Sequence, residues 1–465
     1  MTRYQPTRRG VLRATGLATA TAIAGCLGMD SGGTNDESSD GDIHILTDLT
    51  GEQWESYWED ELIAGFESSS DASVSVEYAG MQGQGGQRLA TLLQSNTPPE
   101  CYHATQTEIG DLFNQGLTQP VDSVIDELES TWGETLFKYT MQPFNGDRAD
   151  EMHMIPNGIY VGGVFNYRKD IYEKLGLSVP KTWQGLVDNA KAIHESDEVE
   201  AAGFGVAGTP AGKSGSDFSN WLYNAGGQTW KSAGESIELA FEKEHVMAVL
   251  EVLQELANYS PDPSSLSWAK TVEYWAGGRI AQCFMNNAWL CGPAYAAGAT
   301  DIARNTEQAL IPVREGADPI TRGWILANGT PIIEGSSNPE GAKEFNKHMF
   351  GEEHMVPVSL LEPMRFIPPY ADVMDADAYR NAEIFQAEDG VFLEKNEKIA
   401  TEIVPELESP DLPSSPETLH VGTTYIQDQM VNRVLIEGQS SEAAYEWALD
   451  EYDTQISNAK EQANY

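Results

Sequence analysis

The sequence is poor in cations. It contains 28 lysine and arginine residues against 72 aspartate and glutamate residues, and its formal net charge is −44 at pH 7. A chain this acidic repels the phosphates of nucleic acids, which excludes DNA and RNA as natural partners. The acidic residues are scattered along the whole chain, as suits very salty surroundings, where ions screen charges over short distances. We interpret the acidity as the mark of a halophilic archaeal source and not as a sign of what the protein binds.

Long apolar runs are missing near the N-terminus. The weakly apolar stretch Leu17–Ile23 is far shorter than the about 20 residues that a membrane-spanning helix needs. A basic start with Arg8 and Arg9, a short apolar middle and small residues at its end are typical of a signal peptide. We place this signal peptide at residues 1–25. The paired arginines predict export by the twin-arginine route, which carries folded proteins.

The end of the signal peptide resembles a lipobox. In Ile23-Ala24-Gly25-Cys26, cleavage before the cysteine would leave its thiol to be acylated. Residues 26–41 are rich in Gly, Ser, Asp and Glu, which cannot bury enough apolar surface to fold. We therefore expect a lipid on Cys26, which holds the protein at the outer face of the cell membrane, followed by a flexible acidic linker. The alternative is an ordinary cleavage site followed by a chance cysteine.

Cysteine is scarce, with four in the chain. Acylation of Cys26 would leave Cys101, Cys283 and Cys291, an odd number that argues against a disulfide framework. Apolar neighbours around Cys283 and Cys291 favour buried thiols over a pair between them. No cysteine or histidine has metal-ligand spacing, and no Ser/His/Asp or Cys/His constellation is visible. We therefore predict a protein without catalytic residues, metal or cofactor.

Strand and helix patterns alternate from residue 43 onward. Ile43–Leu46 is typical of a strand, and apolar residues recur every four positions from Trp54 to Phe66, as on one face of a helix. Such alternation predicts an α/β fold with a largely parallel sheet. In such sheets ligands bind beyond the carboxyl ends of the strands. The length suits about two domains.

Several phrases, in this order and spacing, resemble the family 1 extracellular solute-binding proteins, which are maltose-binding-protein-like. The phrases are Ile155-Pro156-Asn157-Gly158, Val161-Gly162-Gly163-Val164-Phe165-Asn166-Tyr167-Arg168, Pro180-Lys181-Thr182-Trp183, Gly203-Phe204-Gly205, Asn224-Ala225-Gly226-Gly227 and Met285-Asn286-Asn287-Ala288-Trp289.

The resemblance implies a periplasmic-binding-protein-like fold of type II, in which two α/β lobes joined by a hinge close on a ligand in the cleft between them. It also implies a monomer that delivers its solute to an ABC permease in the membrane. The lobes would comprise residues 42–158 with 312–364, and residues 159–311 with 365–465.

Sugar recognition needs flat apolar faces and fixed polar groups, and tryptophan supplies rigid area with a polar handle. Most candidate ligand-binding residues follow predicted strand ends, Trp324 follows a likely crossover between the lobes, Arg365 could clamp a polar ligand, and Trp289 also matches an aromatic platform that the resemblance implies. The candidates are Trp289, Trp324, Trp54, Asp48, Gln106, Asp217, Trp221 and Arg365. Trp54 and Trp221 also fit helical core stripes, and Arg365 could instead pair with a carboxylate.

The stretch Ala207–Ser214 resembles a Walker A loop with alanine in the first position. No strand ending in a magnesium-binding aspartate accompanies it, so nucleotide hydrolysis is not expected. Its glycines and Lys213 could instead hold an anionic group at the start of a helix.

The sequence thus predicts a binding protein for a polar solute, with a sugar or oligosaccharide as the first choice. Glycerol phosphate or another anionic solute is the alternative ligand class. The alternatives from other classes are a lipid-anchored extracellular glycosidase that uses paired carboxylates and a surface scaffold.

Overall fold

A computed structural model describes residues 41–79, 84–137, 151–233, 236–318, 320–408 and 415–463. The predicted signal peptide, the lipid on Cys26 and nearly all of the linker lie outside the described residues. Within the described part of the chain, no helix combines the length and the apolar character needed to cross a membrane.

The described elements alternate between strands and helices. The strands are β1 Ile43–Thr47, β2 Val74–Tyr78, β3 Cys101–Tyr102, β4 Ala104–Thr105, β5 Thr118–Gln119, β6 Ile155–Val161, β7 Val164–Arg168, β8 Trp230–Ala233, β9 Ser236–Leu239, β10 Gln282–Phe284, β11 Thr306–Leu310, β12 Ile325–Thr330 and β13 Ile332–Ile333. The helices are α1 Glu52–Tyr57, α2 Ala64–Ser69, α3 Gln84–Ser95, α4 Gln106–Asn114, α5 Asp122–Trp132, α6 Lys169–Leu175, α7 Trp183–His194, α8 Lys213–Asn224, α9 Lys243–Ala257, α10 Trp268–Ala276, α11 Cys291–Ala296, α12 Thr300–Asn305, α13 Pro339–Met349, α14 Met355–Leu361, α15 Asp377–Arg380, α16 Glu383–Gln386, α17 Val391–Lys398, α18 Val404–Glu406, α19 Pro416–Gly422, α20 Ile426–Leu435 and α21 Ser441–Ala463.

A five-stranded sheet with the order β2-β1-β3-β13-β5 organises the first core. The predicted parallel pairing holds for β2, β1 and β3. Strand β13, which comes from a distant part of the chain, is antiparallel to β3 and β5. The apolar stripe predicted from Trp54 to Phe66 is buried against this core, where Trp58 stacks on Phe345 with ring centres 5.7 Å apart. Residues Trp58–Ile63 of this stripe form a π-helical stretch between α1 and α2.

A second core lies against the three-stranded sheet β10-β7-β11, whose strand pairs are antiparallel. Phe165 and Phe284 lie on neighbouring strands of this sheet and are buried with the aromatic rings of α7 and α8. Helix α7 begins after Thr182, whose hydroxyl accepts from the backbone N–H of Gly185 and so caps the helix. Helices α9, α20 and α21 complete the packing.

A short sheet with the order β4-β12-β6 connects the two cores. Strand β6 leads through two glycines into β7, and β12 pairs antiparallel with β6. Ile367 pairs with Ile159 of β6, whereas Lys395 binds Glu307 of β11 at 2.6 Å. The chain therefore also passes from the first core toward the second sheet between residues 367 and 395. The lobe boundaries expected from the sequence stay a prediction.

The three described cysteines, Cys101, Cys283 and Cys291, are free and buried. Burial raises the pKa of each thiol to about 12, so all three stay protonated and unreactive at neutral pH. The preference for buried thiols over a disulfide is confirmed.

Candidate ligand-binding site

Asp48 and His103 meet where two neighbouring parallel strands end. Asp48 follows β1 directly, and His103 lies between β3 and β4. The Nδ1 atom of His103 is 2.5 Å from an oxygen of Asp48. Burial opposes the ionisation of Asp48, but His103 and the guanidinium of Arg365 outweigh this effect and lower its pKa below the ordinary value. The charged carboxylate of Asp48 therefore lies beyond the carboxyl end of β1, where the sequence predicts that the ligand binds.

A row of aromatic rings and cations runs beside this carboxylate. The ammonium of Lys213 lies 5.0 Å from the ring centre of Trp268, which is 6.4 Å from that of Trp289. The guanidinium carbon of Arg365 lies 4.7 Å from the ring centre of Trp289 and 4.8 Å from that of Phe366. Trp268, Trp289 and Phe366 with these two cations are called the aromatic row below. The structure thus brings the predicted Trp289 and Arg365 into contact.

Glu362 connects Trp54 to the aromatic row. The indole N–H of Trp54 donates to a carboxylate oxygen of Glu362 at 2.9 Å, and Arg365 forms an ion pair with the same oxygen. Trp54, Glu362 and Phe366 line a recess together with Asn157. The side-chain oxygen of Asn157 is buried and finds no hydrogen-bond partner among the described residues. The recess therefore combines two aromatic rings with an acceptor that a ligand hydroxyl could satisfy.

Trp324 joins this group through Tyr160. Their rings meet edge to face with centres 5.5 Å apart, and Tyr160 lies 6.2 Å from Phe366. The indole of Trp324 covers Gly162 so closely that a Cβ at that glycine would overlap with the ring. Trp324 is 7% exposed, so most of this side chain is closed off from solvent.

Three predicted residues, Gln106, Trp221 and Asp217, make contacts within the protein instead of facing a ligand. Gln106 begins α4 and accepts from the backbone N–H of Ala327 at 3.4 Å, so it fastens α4 to β12. Trp221 is fully buried in the second core between Trp183 and Phe284, with ring centres 5.0 Å and 4.7 Å away. The structure thus places Trp221 in the core, because its position on α8 faces the sheet rather than the aromatic row.

Asp217 forms a buried ion pair with Lys213, one of the two cations of the aromatic row. Both of its carboxylate oxygens lie 2.6 Å from the ammonium of Lys213, which also donates to the carbonyl of Phe284 at 2.8 Å. Burial raises the pKa of Asp217 to about 6, although Lys213 acts in the opposite direction. Asp217 is 6% exposed and contacts the cation instead of facing a ligand.

The Walker-like loop, residues Ala207–Ser214, already binds a carboxylate of the protein itself. The buried carboxylate of Asp428 accepts from the backbone N–H groups of Gly212 and Gly215, and from the hydroxyl of Ser214 at 2.8 Å. The donors at the start of α8 are therefore used by the protein itself, and the ammonium of Lys213 is taken by Asp217. The expectation that this loop could hold an anionic ligand finds no support in this arrangement.

Sequence reasoning missed several members of the site, which are Trp268, Phe366, Glu362, His103, Tyr160 and Asn157. Trp268 follows Ser267, whose hydroxyl caps α10, so the helix start was visible although its proximity to Trp289 was not. Within the described residues, no cluster of three or more histidine, cysteine, aspartate or glutamate side chains could hold a metal ion.

Comparison with known proteins gives consistent matches. The sequence pattern of the bacterial extracellular solute-binding proteins matches residues 50–356. The diacetylchitobiose binding protein DasA of Streptomyces coelicolor is 24% identical over 309 residues, which make up 64% of this chain and 67% of that protein. A solute-binding protein of an ABC transporter from Thermotoga lettingae, solved with α-D-tagatose, superposes with a TM-score of 0.70 at 20% identity, covering 89% of this chain and 99% of that one. Maltose-bound MalE3 of T. maritima gives a TM-score of 0.71 at 16% identity, with the same coverage.

The solved structures establish the fold, which is the periplasmic-binding-protein-like fold of type II that the sequence predicted. The match to the family pattern covers well over half of the chain, and it includes Trp54, Trp289 and Trp324. The chain belongs to the family of bacterial extracellular solute-binding proteins.

Proposed function

We propose that the protein captures a neutral sugar or oligosaccharide at the aromatic row and delivers it to the permease of an ABC importer. The observation that carries this proposal is the contact of Trp289 with Arg365 beside the recess of Trp54 and Glu362. Flat indole faces suit the C–H surfaces of sugar rings, and fixed charged groups suit their hydroxyls. The sugars named for the relatives, which are diacetylchitobiose, α-D-tagatose and maltose, support this ligand class.

The charges around the site favour a neutral ligand over an anionic one. Asp48 and Glu362 present two carboxylates; Arg365 forms an ion pair with Glu362, and its charge also lowers the pKa of Asp48. The guanidinium is already paired with Glu362, so a phosphate or uronate would have to compete with that carboxylate for it. The loop that could have received an anion is filled by Asp428.

Membership in an extracellular family places the protein outside the cytoplasm. The mode of attachment is part of the proposal: twin-arginine export, cleavage before Cys26, acylation of its thiol and a flexible linker. This anchor would keep a monomeric carrier close to its permease. The paired arginines and the lipobox-like Ile23-Ala24-Gly25-Cys26 support it.

A thermal-shift panel in high salt tests the ligand class. The panel contains diacetylchitobiose, maltose and tagatose against glucuronate and glycerol phosphate. A ligand that binds only the folded state raises the melting temperature, and the rise grows with the logarithm of one plus its concentration divided by Kd. We expect at least one neutral sugar to raise it and the anions to leave it unchanged. A shift with glycerol phosphate alone would overturn the proposed ligand class.

A further inference from the structure

Asn287 is a buried side chain whose hydrogen bonds reach two distant parts of the chain. It is fully buried and has a positive φ of 49°, a conformation that asparagine tolerates better than most residues. Its side-chain oxygen accepts from the backbone N–H of Val161 at 3.0 Å. Its amide nitrogen donates to the carbonyls of Ile159 at 3.2 Å and of Arg365 at 2.7 Å. One side chain thus satisfies three buried backbone groups.

These three bonds converge on the ligand site. Val161 and Ile159 belong to β6, the strand that leads across to the second sheet. Arg365 is the residue whose guanidinium lies 4.7 Å from the ring of Trp289, and Trp289 follows Asn287 by two positions. Asn287 therefore holds the backbone of Arg365 next to the turn that carries Trp289.

We propose that Asn287 is a positioning residue, which sets the spacing of Trp289 and Arg365 and fastens their turn to β6. This role rests on the proposed function, because it concerns the same site. Asn287 itself is fully buried and acts through its neighbours rather than by touching the ligand.

Asn166 is the matched control. It is also fully buried, and its amide nitrogen donates to the carbonyl of Met285 at 3.1 Å, two residues before Asn287. Its oxygen accepts from the side chain of Gln308 at 3.2 Å. Both partners lie on β11 or directly after β10, so the side chain of Asn166 ties the second sheet together and, unlike that of Asn287, bonds neither to β6 nor to Arg365 in the described part of the chain.

The experiment compares Asn287→Gly with Asn166→Ala. Glycine keeps the positive φ at no steric cost and removes only the side chain. The wild type and each variant are also prepared with the additional substitution Trp289→Phe. Subtracting the emission spectrum of each Trp289→Phe protein from that of its parent isolates the fluorescence of Trp289. We expect this emission to shift to longer wavelength in Asn287→Gly and to stay unchanged in Asn166→Ala, without any ligand. An equal shift in both variants, or none in Asn287→Gly, would overturn the role.

A second measurement uses the neutral sugar that gives the largest thermal shift with the wild type. We expect Asn287→Gly to raise its Kd at least about tenfold and Asn166→Ala less than about threefold, at temperatures where both are folded. If Asn287→Gly does not fold, Asn287→Asp replaces it, because aspartate keeps the acceptor and loses both donated bonds. If the wild type binds no sugar, the proposed function fails, whereas the emission result still decides the role of Asn287.

Discussion

The guanidinium carbon of Arg365 lies 4.7 Å from the ring centre of Trp289, and the same guanidinium is paired with Glu362. Arg365 therefore belongs to a stack and to an ion pair at once. Its contact with Phe366 at 4.8 Å places it between two aromatic rings. The arrangement fixes the orientation of the indole that the sequence singled out as a sugar platform.

The first prediction concerns this platform. Replacing Trp289 by alanine should raise the Kd for the bound sugar about 30-fold, or about 2 kcal/mol, because buried tryptophans dominate many binding sites. Calorimetric titration in high salt measures the change. Trp447→Ala is the control, since Trp447 lies on α21 against Arg433, at 4.0 Å, and away from the aromatic row. Equal affinity of Trp289→Ala and the wild type would remove this ring from the site.

The second prediction uses the close approach of Trp324 to Gly162. A methyl group at Gly162 would overlap with the indole, so Gly162→Ala should push the ring aside. We expect a loss of about 1–3 kcal/mol in unfolding free energy, as for other over-packed sites. Gly41→Ala is the matched control because its added methyl group meets open space. Denaturant unfolding of both variants measures the difference, and equal stabilities would contradict this packing.

The third prediction concerns the buried pair of Lys213 and Asp217. Removing one partner leaves a buried charge alone, which typically costs about 3–5 kcal/mol. Lys213→Met and Asp217→Leu should therefore each destabilise the protein more than the double variant does. Unfolding free energies of the four proteins form the test. Additive losses in the double variant would show that the two charges do not depend on each other.

The fourth prediction is a pH dependence at Asp48. Burial opposes its ionisation, but His103 and Arg365 lower its pKa below the ordinary 3.8. The folded protein thus favours the carboxylate more than the unfolded chain does. The resulting stabilisation is present above pH 3.8 and is lost as the pH falls through the lowered pKa.

Unfolding of the wild type and of Asp48→Asn across this acidic range measures the effect. The wild type should lose stability relative to Asp48→Asn as the pH falls. Arg365→Met should bring the pKa of Asp48 closer to its unfolded value, so its loss of stability should be smaller and complete at a higher pH. Parallel pH profiles of the wild type and Asp48→Asn would contradict the assignment.

The sequence predicted local structure better than it predicted the site. The stripe from Trp54 to Phe66 fixes a helical face, and the strand that precedes Asp48 fixes a sheet edge. These features follow from periodicity over a few residues. Trp54 and Glu362, by contrast, are separated by 308 positions, and nothing in the local pattern announces their hydrogen bond.

Trp221 is a case in which a residue predicted for the site lies in the core instead. Its spacing on α8 fits a buried face and a ligand-facing one equally well, and only the packing of Trp183 and Phe284 decides between them. The Walker-like loop is a further case, because the carboxylate that fills it comes from Asp428, more than two hundred positions away. Contacts between residues far apart in the sequence therefore determine where Trp221 lies and what fills the loop, and local sequence patterns do not reveal such contacts.

Diffraction from crystals grown with the neutral sugar that gives the largest thermal shift tests whether the aromatic row binds the ligand. We expect density for a sugar ring against the face of Trp289, with a hydroxyl near Asn157 or Glu362. Sugar bound away from the aromatic row, with Trp289 and Arg365 still stacked as they are here, would contradict it.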